Sequence, residues 1–391
     1  MTGDELGAMV AGNSRVQRRA LRQGIDVAMI WFALTSLSPV AILAAACLWG
    51  GVLPWLALAY VTVFVTAMDR WTHIALPVRE DDSSQRQALR LNLVLGLLHL
   101  PLLALGVWAV ADAPGLALAQ RLAIALALGL YLGQVGNSNA HVLIHAPDRW
   151  ARRLGMAVYI SLLFGHHASA HPRIHHVLVA SDGDPNSARR GEGFYRFWPR
   201  AWIGSFRAGL RAETQARARL TQRPAALSHP YVIYCGGAVL TLAMAFALAG
   251  WTGCLVLFGL ASYAQMQLLL ADYIQHYGLR RTRLANGRLQ PVGPQHSWNA
   301  PHWYSSAMML NAPRHSDHHQ HPARQFPALR LNATTMPVWP YSMPMMATLA
   351  LFPGLWRRRM DPHVLKWQAQ IENTPSSQAP GRRTDARNLP L

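Results

Sequence analysis

Residues 27–68 read VAMIWFALTSLSPVAILAAACLWGGVLPWLALAYVTVFVTAM, with no Asp, Glu, Lys or Arg anywhere in the run. A helix that crosses a bilayer needs about 20 apolar residues. This run is twice that long and is interrupted by Gly50, Gly51 and Pro54, so it predicts two crossing helices joined by a tight turn, about 27–49 and 52–68. The same arithmetic applies further along the chain. Leu91–Ala111 gives a third span, 91–111, closed by Asp112, Pro114 and Gly115, and 116–140 gives a fourth with Arg121 near its start. Pro224–Ala271 is again uncharged and of double length, broken around Gly250-Trp251-Thr252-Gly253, which predicts spans at about 231–250 and 252–272. The expected fold is an all-α integral membrane protein of six transmembrane helices in three hairpins.

Composition agrees. Apolar residues make up 51% of the 391 and charged residues only 14%, against about 25% charged in an average soluble domain. Too little charge is left to coat a soluble globule of this size. Cys47, Cys235 and Cys254 lie in apolar stretches with no C-x-x-C spacing, which suggests neither a disulfide framework nor a thiolate metal site.

Three hairpins put every long connection on one side of the membrane. The far-side turns near 50, 113 and 251 hold Asp112 as their one charge, whereas 149–230 carries thirteen arginines against four acids. Cytoplasmic loops of membrane proteins are enriched in this way. The N-terminal segment 1–26, the long loops, the C-terminus and the chemistry they carry are therefore expected on the cytoplasmic side of a bacterial-type inner membrane. Much of the net charge of +18 is then topology and contact with lipid headgroups, and no nucleic-acid module is recognisable. Met156–Phe164 and Met343–Leu355 are too short to cross and are expected to be interfacial or re-entrant. Residues 27–366 form the membrane domain, and the Pro/Ser/Arg-rich end, 367–391, reads as a disordered tail.

The 18 histidines are clustered. His141 and His145 end the fourth span; His171, His175 and His176 follow in the first large loop; His276 ends the sixth span; His315, His318 and His319 lie in the C-terminal segment. On a helix, positions i and i+4 share a face. In H-x-x-x-H-H and H-x-x-H-H the first histidine therefore pairs with one of the closing two, and the other points aside, towards a neighbouring ion. Nine imidazoles are too many for one metal and suit two. Imidazole accommodates iron, zinc, copper or nickel, so the ligand type does not by itself name the ion. His73, His99, His166, His167, His229, His296, His302, His321 and His363 are read as packing, loop or interface residues.

At these residues the chain resembles the membrane-bound non-haem di-iron hydrocarbon hydroxylases of the membrane fatty acid desaturase/hydroxylase superfamily, and among them the alkane hydroxylases. His296-Ser-Trp-Asn299 followed by Arg314-His-Ser-Asp-His-His319 is similar to the family's HSWN…RHSDHH signature. Asp272-Tyr-Ile-Gln-His276-Tyr-Gly-Leu resembles its NYxEHYGL element, 179–197 resembles the segment after its second histidine box, and Met360-Asp-Pro362 its C-terminal element. The likeness runs over roughly residues 25–366. It implies two histidine-bound iron ions, O2 as co-substrate and conversion of the terminal methyl of an alkane to a primary alcohol. It also implies electrons from a separate rubredoxin or ferredoxin with its reductase; the chain has no haem, flavin or nucleotide motif of its own.

Three positions depart from the family pattern, Val142, Ala170 and Gln275 standing where it usually has Glu. Asp272 and Asp317 remain as candidate acids to orient imidazole N–H groups. Rival readings within the oxidases are a hydroxylase of alkyl-aromatic methyl groups and a fatty-acyl hydroxylase or desaturase. From a different class, the rival is a non-redox, histidine-rich membrane metal-handling protein such as a transporter or sensor. A transporter would bury ionisable ligands along the membrane interior, yet only His99 falls in mid-span.

Overall fold

The computed structural model describes residues 27–372, apart from 73, 75 and 223; the N-terminal segment 1–26, His73 and residues 373–391 lie outside the described residues. Helices form the whole architecture, and no β-strand longer than an isolated bridge occurs among the described residues.

Helix α1 is Val27–Trp49, and the chain reverses at Gly50 and Gly51, whose φ angles are +60° and +63°. A side chain at Gly50 would meet that left-handed penalty and stand 2.6 Å from Leu116 Cδ2, so the turn requires glycine on both counts. The return is α2 (Leu53–Ala59), a π-helical turn (Tyr60–Phe64) and α3 (Val65–Trp71). Helix α4, Asp82–Ala111, starts nine residues before the expected span; the Asp81 carboxylate caps it by accepting the Ser84 N–H at 2.9 Å. Next come α5 (Leu118–Tyr131), a second π-turn (Leu132–Gly136) and α6 (Asn137–Ile144). The isolated Arg121 in this apolar stretch finds partners within the hairpin: its guanidinium donates to the Val110, Ala113 and Leu116 carbonyls around the C-terminal end of α4.

Amphipathic α7 (Arg149–Ser161) leads to a short assembly of α8 (His167–Ala170), a π-turn (His171–His175) and α9 (His176–Leu178), then to α10 (Phe194–Ala218). Helix α11, Pro230–His276, is broken where Ala249 and Gly250 leave helical geometry, at the position the composition of 250–253 predicts. Helices α12 (Trp303–Met308), α13 (His315–Gln320), α14 (Met343–Ala350) and α15 (Pro353–Glu372) complete the chain. Residues 367–372 are therefore helical rather than part of a tail. Met343–Leu355 is divided between α14 and α15, and 156–161 belongs to α7.

Among the described residues, four helices are long and apolar enough to cross a membrane: Val27–Trp49, Asp82–Ala111, Leu118–Ile144 (α5 through α6) and Pro230–His276. Along α11 the large apolar side chains Leu240, Met244, Leu255 and Phe258 face outward. Apolar residues belong on that face when the surrounding solvent is lipid, because the helix satisfies its own backbone. The buried histidines of the four clusters gather where α6, α8, α9, α13 and the end of α11 meet.

Candidate metal centre

All nine clustered histidines come together there, in two sets. His141, His145, His171, His176 and His318 form one, and His175, His276, His315 and His319 the other; within each set the facing ring nitrogens all lie within 4.8 Å of one another. The sets abut, the His176 and His319 ring centroids being 4.5 Å apart.

Local backbone geometry decides who joins which set. Within α13 the ordinary i, i+4 relation places His315 Nε2 3.0 Å from His319 Nε2, and His318 turns aside to reach His176 Nε2 at 3.2 Å. The second box does not follow α-helical spacing, which would pair His171 with His175. Pro172 lacks an N–H, the turn widens to π geometry, and the His176 N–H reaches back to the His171 carbonyl. His171 thereby pairs with His176, their Nε2 atoms 2.9 Å apart, and His175 swings into the other set. His141 Nε2 lies 2.7 Å from His171 Nε2, and His276 Nε2 lies 3.1 Å from His315 Nε2.

This donor chemistry fits metal ions. Imidazole nitrogens about 2.0–2.1 Å from one ion stand some 3 to 4 Å apart, close to the spacings here. His145 Nε2 and His175 Nε2 are buried, directed into their sets, and have no hydrogen-bond partner. Buried polar atoms are otherwise costly to leave unpaired.

Electrostatics keeps these rings in the coordinating form. Burial, reinforced by neighbouring imidazoles, holds His171, His176, His315, His318 and His319 well below the ordinary value of 6.5 and brings His145 to about 4. They are neutral at pH 7, with lone pairs free. His175 differs: burial pulls it down, but the Asp184 carboxylate, accepting from Nδ1 at 2.8 Å, outweighs that and raises it. Asp184 is correspondingly held down, because His175, Ser187 Oγ and the Asn186 N–H offset its own burial. The Nδ1–H···Asp184 bond fixes the tautomer that leaves Nε2 free for a metal.

The depressed histidines fix the sign of a pH dependence. In the unfolded chain these rings take up protons near 6.5, and in the folded one they resist until far lower pH. Protonation between these limits favours the unfolded, metal-free state. Retained metal and the melting temperature of the metal-free protein are both expected to decline as pH falls from about 6.5 towards 4. Metal analysis after dialysis, with thermal unfolding across that window, checks this.

Asp184 is the acid that sequence reasoning missed; it sits nine residues after His175, in the Asp-Gly-Asp-Pro-Asn turn that the motif comparison had already reached. Asp317 is a salt-bridged carboxylate instead. It pairs with Arg324 at 2.7 Å, accepts from the Arg330 N–H and contacts His321, and touches no histidine of either set. Asp272 accepts from Asn186 Nδ2 at 2.6 Å. At the departing positions, Gln275 donates to the Ala312 carbonyl, and Val142 and Ala170 put no carboxylate here.

Most of the other histidines have structural partners. His99 meets Ser161 Oγ, His166 meets Ser205 Oγ, His229 caps the Tyr231 N–H, and His296 Nδ1 accepts the Gly293 N–H. His167 stands apart from them: it stacks on His171 with centroids 4.9 Å apart and lines a cavity. That cavity, about 630 Å³, runs from Val61 in the first π-turn and Leu130 of α5 to His141, His171 and His315. Its walls are largely apolar and include Val63, Met266, Leu270, Met343 and Ala347.

The fatty acid desaturase family model matches residues 116–348, which include all nine histidines. Alkane 1-monooxygenase 2 of Pseudomonas aeruginosa is 31% identical over 327 residues, 82% of this chain and 86% of that protein. Alkane 1-monooxygenase 1 of Alcanivorax borkumensis is 34% identical over 276 residues, 69% of this chain but just under two thirds, 66%, of its own length. The xylene/toluene monooxygenase hydroxylase component of Pseudomonas putida is 28% identical over 56% of this chain and 57% of its own. The chain belongs to the fatty acid desaturase family, within which it is similar to the alkane 1-monooxygenases.

Proposed function

We propose that the protein is an O2-dependent hydroxylase that converts a terminal methyl group of an alkane to a primary alcohol. The observation that carries this reading is the largely apolar cavity ending on His141, His171 and His315. An alkane dissolves in the bilayer and offers no polar handle, so selection rests on shape and on an apolar lining, both of which this cavity supplies. At about 630 Å³ it falls within the usual range of small-molecule sites.

Nine histidines would hold two iron ions, His141, His145, His171, His176 and His318 on one side and His175, His276, His315 and His319 on the other. When bound, the irons supply the activation of O2. Overall, the methyl C–H, one O2, two electrons and two protons become C–OH and one water. The chain's own contribution is to keep the other imidazoles neutral by burial, to orient His175 through Asp184 and to hold the methyl end of the substrate in a largely apolar cavity beside them.

On this reading the second crossing is the 53–71 helix with its π-turn, and the break at Gly250 divides α11 into two crossings, which makes six. The arginine-rich face is cytoplasmic, and the membrane is the inner membrane of a bacterial-type cell. Electrons come from a soluble rubredoxin or ferredoxin with its reductase. Arg324, Arg330, Arg200 and Arg173 are committed to Asp317, Glu80, Glu192 and Glu213, but Arg190 is exposed, Arg189 is exposed and meets the exposed Asp182 only at 4.0 Å, and Arg190 Cβ lies against Gly278, two residues from His276. An acidic carrier meeting this surface is expected to show an apparent affinity that weakens between 0.1 and 1 M salt, over which the Debye length falls from about 10 to 3 Å. The double reversal Arg189→Glu, Arg190→Glu should weaken it further at low salt. Turnover titrated with limiting carrier measures both, and an affinity indifferent to salt and reversal refutes the docking.

One observation favours a second reading. The relative described as a xylene/toluene monooxygenase hydroxylase component covers more than half of this chain, which makes alkyl-aromatic methyl groups the rival substrate. Feeding octane, dodecane, a xylene and a fatty acid in parallel to cells expressing the chain, followed by product analysis, separates the readings. 1-Octanol and 1-dodecanol are expected; a benzylic alcohol alone would favour the rival, and no oxidised product from any of them would refute both.

A further inference from the structure

The cavity is not uniformly apolar. Most of its polar side chains are committed: Gln267 Nε2 donates to the Gly129 carbonyl, Thr62 and Thr66 donate back along their own helix, and Asn137 donates to the Gly133 and Ala264 carbonyls. Gln134 and Ser138 are not. Both line the cavity, and among the described residues neither side chain has a hydrogen-bond partner; Gln134 Oε1 is buried without a donor. A buried amide oxygen with nothing to bond to costs stability, and Gln134 Oε1 stands four residues before the half-buried Ser138 hydroxyl on the wall that continues to His141. Gln134 is seven residues from His141, roughly 10 Å along the helix axis.

We propose that the cavity also accepts an aliphatic alcohol, with the hydroxyl donating to Gln134 Oε1 and accepting from Ser138 Oγ, while the far methyl end, about 10 Å away, lies beside the histidines. The substrate class is then a medium-chain 1-alkanol and the product an α,ω-diol. The reaction is the methyl hydroxylation given above, with the same O2, two electrons from the reduced carrier and two protons. The inference rests on that reading for its chemistry but not for its binding site. An alcohol entering a wholly apolar channel would lose its hydrogen bonds to water without compensation; the amide and hydroxyl here restore two of them.

The test uses the full-length protein in phosphatidylglycerol/phosphatidylethanolamine vesicles, with its reductase and carrier, supplied with decane, 1-decanol and decanoate in parallel. Decane-1,10-diol is expected from 1-decanol. The ratio of kcat/KM for 1-decanol to that for decane is expected to fall about tenfold in Gln134→Leu, the loss of about one buried hydrogen bond, and to fall by less in Ser138→Ala. Equilibrium retention of tritiated 1-decanol by the same vesicles should weaken in the same order. Oxidation of decane without any diol from 1-decanol, an unchanged ratio in both variants, or a preference for decanoate through exposed Arg70 at the cavity wall would each overturn the proposal. If decane itself gives no product, the hydroxylase reading fails instead, and the tritium retention of wild type against Gln134→Leu alone decides the alcohol site.

Discussion

The His315→Ala variant is expected to lose turnover altogether and to bind one iron per chain in place of two, while still inserting in the membrane. His315 belongs to the four-membered set, where it stands 3.1 Å from His276 Nε2 and 3.0 Å from His319 Nε2, and it also faces the cavity. Its removal leaves three imidazoles for that ion and opens the side nearest the substrate. Helix α13, which carries it, is six residues long and lies outside the membrane-crossing helices, so insertion does not depend on it. His166→Ala is the matched control. Its ring is equally buried but meets Ser205 Oγ and joins neither set, so both irons should remain. Metal analysis of the two purified variants, with turnover on dodecane, decides the matter; equal iron in the two variants would mean that the second set is not a metal site.

The sequence was most legible where a single physical constraint acted on a long segment. An uncharged run of double length broken at Gly50 and Gly51 leaves the chain little choice, and the structure turns there with both residues at positive φ. Arg121 was an anomaly in the sequence because its partners, three carbonyls around the end of α4, exist only once the hairpin has closed. Helix ends were less legible than breaks: 82–90 is polar and carries no hydropathy signal, yet the Asp81 cap and contacts across the bundle extend α4 through it. The histidines were visible as a group because nine imidazoles at short spacings have few other uses. Their division was only half visible. The i, i+4 rule pairs His315 with His319, but it fails at the second box, where the turn around Pro172 takes π geometry and exchanges the roles of His175 and His176. Gln134 lies in another π-turn, and nothing in the sequence marks which face it presents. The carboxylates illustrate the same limit. Asp317 looked better placed than Asp184 because it lies within a box, yet the Arg324 guanidinium, the Arg330 backbone N–H and His321 claim it.

Asp184→Asn provides the sharpest test of how the site is held. The side chain is fully buried, Oδ2 accepting from His175 Nδ1 and Ser187 Oγ and Oδ1 from the Asn186 N–H. An amide has one acceptor oxygen where the carboxylate has two. Whichever way it turns, an N–H faces an N–H or the Ser187 hydroxyl loses its acceptor, and the charge that favours a protonated His175 Nδ1 is gone. Removing an outer partner of a metal-bound histidine typically costs 10–100-fold in metal affinity or activity. A loss in that range is expected here, confined to the ion held by His175, His276, His315 and His319. Asp182→Asn, two residues away and 82% exposed, should change nothing. A purely structural role for Asp184 predicts something different: a lower melting temperature for the metal-free protein, with iron content after dialysis against a weak chelator unchanged at two per chain. If the variant behaves that way, Asp184 braces the 181–187 turn and does not tune the metal. If it loses one iron and keeps the other, the carboxylate acts through His175 on one ion of the pair.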